Sequence, residues 1–136
     1  MGTTNDIKTR ADIEVLVSQF YEKVRKDETI GFIFNDIAQV DWDHHLPVMF
    51  DFWEMVLLGT GGYKGDTMTS HIQLNKKVEL KPAHFQQWLK LFNETLDENF
   101  SGPKAAEAKD RAKNIANLIS YRVIQAAQGL APSNRN

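Results

Sequence analysis

The chain has 136 residues, 42% of them apolar and 25% charged, with a formal net charge of −2. That suits one hydrophobic core in one domain and leaves no basic block of the kind that holds nucleic acid or an anionic membrane. Cysteine is absent, which excludes disulfides, thiolate catalysis and thiolate metal sites.

The first element in chain order runs from about Arg10 to Lys26. Thr9 and Asp12 read as a capping box at its start. Ile13, Leu16, Val17, Phe20, Tyr21 and Val24 then recur at helical spacing and form one apolar stripe. Ile30 to Ile37 is short, apolar and aromatic, and reads as a tight helical turn plus a loop. A second helix is expected over about Asp41 to Leu58, with Val48, Met49, Phe52, Trp53, Val56 and Leu57 on its buried face. Pro47 breaks the pattern, because a proline inside a helix removes a hydrogen bond and clashes one turn back. Trp42 to Leu46 is therefore expected as a separate turn or a kinked first segment, with Pro47 near the true start.

Gly59 to Gly65 holds four glycines in seven residues and reads as a mobile or tightly turning loop. Thr67 to Leu74 has room for two helical turns and contains His71. A third long helix is expected from Pro82 to Asn99, with Phe85, Trp88, Leu89, Phe92 and Leu96 inside. Ser101-Gly102-Pro103 opens the last helix, which continues to about Ala127 through Ala105, Ala108, Ala112, Ile115, Ala116, Ile119 and Val123. The tail from Gly129 to Asn136 is expected to fray. The expected fold class is all-α, as one domain over 1–136 with its core at about 10–128. No apolar run approaches the ~20 residues that span a bilayer, and Met1 to Asp6 lacks the apolar stretch of a signal peptide. A cytoplasmic location is expected, with neither membrane nor nucleic acid as partner. Asn93-Glu94-Thr95 fits a glycosylation acceptor by pattern alone.

Chemistry has few carriers. The histidines are His44, His45, His71 and His84. Zinc asks for three or four clustered ligands, and no two of these histidines sit four apart on one helical face. The HExxH pattern, the nucleophile elbow and the phosphate-binding glycine loop are all missing. What remains is a set of aromatics and histidines on helical faces. Taken singly, Tyr21 and Trp88 read as core residues and His71 as a surface histidine.

Their order along the chain resembles the group III truncated haemoglobins. The matching blocks are Phe20-Tyr21-Glu22-Lys23-Val24, Ile33-Phe34-Asn35, Trp42 with His45, Phe52-Trp53, Leu57-Leu58-Gly59, Tyr63-Lys64-Gly65, His71-Ile72-Gln73-Leu74, and Phe85 with Trp88-Leu89-Lys90-Leu91-Phe92. The resemblance covers about residues 10 to 128. It implies a two-over-two helical sandwich around a haem, with His71 as the proximal iron ligand. It implies that Tyr21, Trp88 and His45 face the bound ligand, and that Phe34 packs on the haem. Phe52, Trp53, Tyr63 and Leu74 complete the expected haem-lining set. Pro47 departs from the pattern and is expected to make the turn that bears His45 a movable gate. His44 is a second candidate in poorer register, and His84 is expected outside the pocket.

The resemblance further implies a pentacoordinate, histidine-ligated iron in haem b. The haem is held non-covalently, since there is no Cys-x-x-Cys-His motif. Dioxygen, carbon monoxide, nitric oxide and peroxide are the implied ligands, and the chain is expected to be a monomer. A dioxygen that gains negative charge on binding is stabilised by the Tyr21 phenol and the Trp88 indole. Slow release of that kind points to redox chemistry on bound ligand, such as nitric oxide or peroxide detoxification. It would need an external electron donor, because the chain has no reductase domain. The alternative is oxygen binding, transport or sensing without turnover. A haem-free helical bundle that binds a protein partner is the third reading.

Overall fold

Thr9 accepts the Asp12 backbone N–H on its hydroxyl at 3.3 Å, and the Asp12 carboxylate accepts the Thr9 N–H at 3.1 Å. This reciprocal cap starts α1 (Arg10–Lys26), which buries Ile13, Leu16, Val17, Phe20, Tyr21 and Val24 along the stripe read from the sequence. The molecule is described here as a computed structural model over residues 4–65 and 67–129. The segment after α1 closes as a π-helical turn, Ile33–Ile37. Then come α2 (Trp42–Leu58), α3 (Thr67–Asn75), α4 (Pro82–Asn99) and α5 (Pro103–Ala127). Beyond Gly129, the expected frayed tail lies outside the described residues.

The α1–α2 pair lies over the α4–α5 pair, with further packing of α1 on α4 and of α3 on α5. The fold is all-α, and no membrane-long apolar helix occurs among the described residues. Its core is centred on Phe20, Phe92, Leu96 and Trp53, all essentially without solvent exposure. A buried side chain of this size contributes about 1.5–3 kcal/mol. Alanines 105, 108, 112 and 116 give α5 a flat buried face on which neighbouring helices rest. Thr95 is the one fully buried polar side chain among the described residues, and its hydroxyl donates to the Leu91 carbonyl at 2.8 Å.

Two expectations need correction. Pro47 lies inside an unbroken helix that already starts at Trp42. The backbone tolerates it because only the Asp43 carbonyl, one turn back near the helix start, loses its helical donor. Val48, Met49 and Phe52, expected in the core, are only half-buried. They face a cavity, and Trp53 and Leu57 carry the core contact of α2.

The start of α5 is capped from far away in sequence. The Asp6 carboxylate accepts the Lys104 and Ala105 N–H groups at 2.9 and 2.8 Å, and the Ile7 N–H at 2.9 Å. Gly102 sits at φ 134°, and a Cβ there would come within 2.6 Å of the Asp6 side chain. Glycine is thus required by both conformation and space. Burial opposes the charge on Asp6, but those three backbone donors outweigh it and hold the carboxyl below its ordinary value.

Candidate functional site

Between the two helical layers lies a cavity of about 370 Å³. Tyr21 of α1, Phe34 of the π-turn, His45, Phe52 and Trp53 of α2, Tyr63 of the glycine loop, His71 and Leu74 of α3, and Trp88 of α4 all line it. Every residue expected to hold the iron, face its ligand or line the haem is therefore brought to one place. The cavity is also walled by Ile30, Ile33, Phe85, Ile115 and Ile119. Phe85 and the α5 isoleucines are legible as apolar positions on helices. Nothing in the sequence marks them as cavity lining, because the two roles use the same residue types.

One end of this cavity is an aromatic cluster. The Tyr21 ring lies 5.5 Å from His45, 5.4 Å from Trp42 and 6.0 Å from Phe34, centroid to centroid. Trp42 stacks on Phe34 and carries the Arg25 guanidinium on its outer side. Trp88 stacks on Phe92 at 5.5 Å and meets Phe20 edge-on at 5.3 Å. Tyr21 also meets Phe20, at 4.8 Å, so Tyr21 and Trp88 are both held against the same core ring.

The electrostatics of the cluster favour neutral groups. Tyr21 is 5% exposed. Burial pushes its phenol above the ordinary tyrosine range, and hydrogen bonding from the Trp88 indole acts in the opposite sense. The phenol therefore keeps its proton at neutral pH and can donate it in a hydrogen bond. His45 is held below the ordinary histidine value, first by burial and then by the neighbouring charges of His44 and His71. Its Nε2 is buried and has no hydrogen-bond partner. An unsatisfied buried nitrogen costs about 1–3 kcal/mol, so it marks where another group belongs. His44 is exposed and does not line the cavity, which places His45, in the better register, at the site.

His84 was expected outside the pocket, and the structure corrects this: it lines the cavity. α4 begins at Pro82, so His84 falls in its first turn. The Lys81 N–H donates to His84 Nδ1 at 3.0 Å, which folds the ring back over the helix start.

A metal held by side chains alone needs three or four ligands. Among the described residues no group of three His, Asp or Glu is placed to supply them. A flat apolar cofactor that brings its own equatorial nitrogens needs only one imidazole. The apolar lining, His71 on a short helix, and the unpartnered His45 nitrogen in the same cavity fit such a group.

No protein-family model matches the chain. The group 3 truncated hemoglobin ctb of Campylobacter jejuni is 36% identical over 107 residues, which cover 76% of this chain and 82% of that one. The crystal structure of the group III truncated hemoglobin from Campylobacter jejuni superposes with a TM-score of 0.78 at 31% identity, over 89% of this chain and 95% of that one. With sequence and fold similar to the same kind of protein over most of both chains, this chain belongs to the group III truncated haemoglobins.

Proposed function

We propose that this globin binds one haem b, whose iron His71 would hold, and that it serves redox chemistry on a bound ligand rather than carriage. When bound, haem supplies an iron that takes diatomic ligands and exchanges single electrons. Phe34, Phe52, Trp53, Tyr63 and Leu74 would wall it in. The observation that carries the reading is the cluster of Tyr21, Trp88 and His45 on the same cavity as His71.

Tyr21 holds its proton in a buried position and can donate it to a ligand. Trp88 adds an indole N–H. Each hydrogen bond to a charged acceptor is worth roughly 1.5–3 kcal/mol. Two of them aimed at one ligand would slow release by at most roughly a hundredfold to ten-thousandfold, since 1.4 kcal/mol is tenfold and coupled neighbours add incompletely. A carrier must let go, and this pocket is built to retain. His45, neutral and unpartnered at Nε2, is placed to hold a proton and return it.

Two overall reactions suit these residues. Nitric oxide, dioxygen and one electron give nitrate. Peroxide, two protons and two electrons give two waters. Both draw electrons from a separate donor, and the chain acts as a monomeric globin domain. The test is to supply purified holoprotein with an artificial one-electron reductant and either substrate. Catalytic nitrate formation or peroxide loss, many turnovers per haem, is expected. Stoichiometric dioxygen binding with no turnover on either substrate would assign the protein to storage or sensing.

A further inference from the structure

We propose that His84 donates a hydrogen bond from Nε2 to a carboxylate of the cofactor at the edge of the cavity, and so sets how the cofactor sits. The inference rests on the haem reading above. His84 is half-buried and lines the cavity. Its Nδ1 accepts the Lys81 N–H at 3.0 Å, so in the neutral ring the proton is assigned to Nε2. The ring is steadied by this bond and by an edge contact with Phe32, 6.4 Å between centroids. What remains is an imidazole whose second nitrogen has no partner among the described residues, in the wall of an otherwise mostly apolar cavity.

Haem b is a good match for such a donor. Its macrocycle is apolar, but it carries two carboxylates that an apolar wall cannot accept. They must lie where water or a donor reaches them. Tyr21 and His45 belong to the aromatic cluster at one end of the cavity, and His71 is assigned to the iron. His84 sits where the wall is partly exposed, so a carboxylate there keeps some water and gains an N–H. Tyr63 and Ser70 bring hydroxyls to the same cavity, which makes His84 one of several anchors. Burial and the nearby Lys81 charge disfavour protonation of the ring, and Glu79 favours it. In either state Nε2 keeps its proton and donates.

The experiment uses holoprotein reconstituted with haem b, and separately with haem b dimethyl ester, whose carboxylates are capped. Wild type is compared with His84→Phe, which keeps the ring volume, and His84→Gln, which keeps an N–H donor. Resonance Raman reads the propionate bending band, and transfer to excess apomyoglobin reads haem loss. His84→Phe should shift the band and speed haem loss about tenfold, the effect of one hydrogen bond to a charged group. His84→Gln should stay near wild type, and with the dimethyl ester the three proteins should lose haem at similar rates. An unmoved band in His84→Phe would overturn the assignment. So would a His84→Phe effect that persists in full with the ester, because it would then come from packing. A six-coordinate, bis-imidazole spectrum in wild type that vanishes in His84→Phe would overturn it too, by putting the imidazole on the iron. If wild type itself takes up no haem, the haem reading fails first, and this inference with it.

Discussion

Tyr21 and Trp88 carry the proposed chemistry at the scale of single residues, and they do so as a pair. The indole acts on the phenol in the structure itself, so removing one partner frees the other to reorient. Tyr21→Phe should raise the dioxygen dissociation rate roughly tenfold, the equivalent of one strong donor. Trp88→Phe should raise it as well. The double variant should fall short of the product of the two, because coupled neighbours are not additive. Stopped-flow displacement of dioxygen measures all three, and wild-type rates in both single variants would reduce these residues to packing. A second residue-scale effect concerns Asp6. Its carboxylate caps α5 with two N–H acceptances and favours the positive end of that helix. Asp6→Ala should cost about 1 kcal/mol in urea unfolding at pH 7, within the usual range for a lost cap. The folded carboxyl lies below its ordinary value of 3.8. Its contribution is therefore present above about pH 4 and disappears as pH falls through the folded value. The gap between wild type and Asp6→Ala should narrow at pH 3. An unchanged gap would mean that the charge does not matter there.

At the scale of elements, α2 combines an early proline with a histidine that lines the cavity. Asp41 makes no side-chain cap, and the first turn is tied by the His44 and His45 N–H groups to the Asp41 carbonyl at 3.1 and 2.8 Å. Pro47 supplies no N–H to Asp43. The helix is unbroken, yet its opening turn lacks the bond that Pro47 cannot make, and His45 is in it. Restoring the donor with Pro47→Ala should slow carbon monoxide association after flash photolysis and increase amide-exchange protection over residues 43–47. A faster or equal association rate would deny the turn a gating role. The helices themselves were largely legible, because α1, α4 and α5 carry stripes at a period of 3.6 with start signals such as Thr9 and Pro82. The continuity of α2 was not, since a proline argues for a break unless the neighbouring packing is known. Nor was Asp6 visible as a cap: it stands far from α5 in sequence, and only the folded chain brings it to Gly102.

At the scale of the molecule, core and cavity divide the same apolar faces. Phe20, Phe92 and Trp53 are fully packed, while Phe34, Phe52 and Phe85 are left half-buried around the cavity. Periodicity finds both sets and cannot separate them, and for this reason the order of motifs, not the pattern of hydrophobicity, picked out residues that line the cavity. His84 shows where that guide stopped, because its place in the wall follows from a local bond to Lys81. A cavity lined this way should be stabilised by what fills it. Haem binding to the folded state alone raises stability by about 4 kcal/mol when free haem is a thousandfold above its dissociation constant. The apoprotein should therefore melt at a clearly lower temperature than the holoprotein, and coincident melting curves would argue against a specific haem site. The central claim is that His71 holds the iron, and the iron–histidine stretching band in the resonance Raman spectrum of the ferrous, ligand-free protein tests it most directly. The band should be present in wild type, absent in His71→Gly, and restored when imidazole is added to His71→Gly. A band that survives unchanged in His71→Gly would show that another side chain holds the iron.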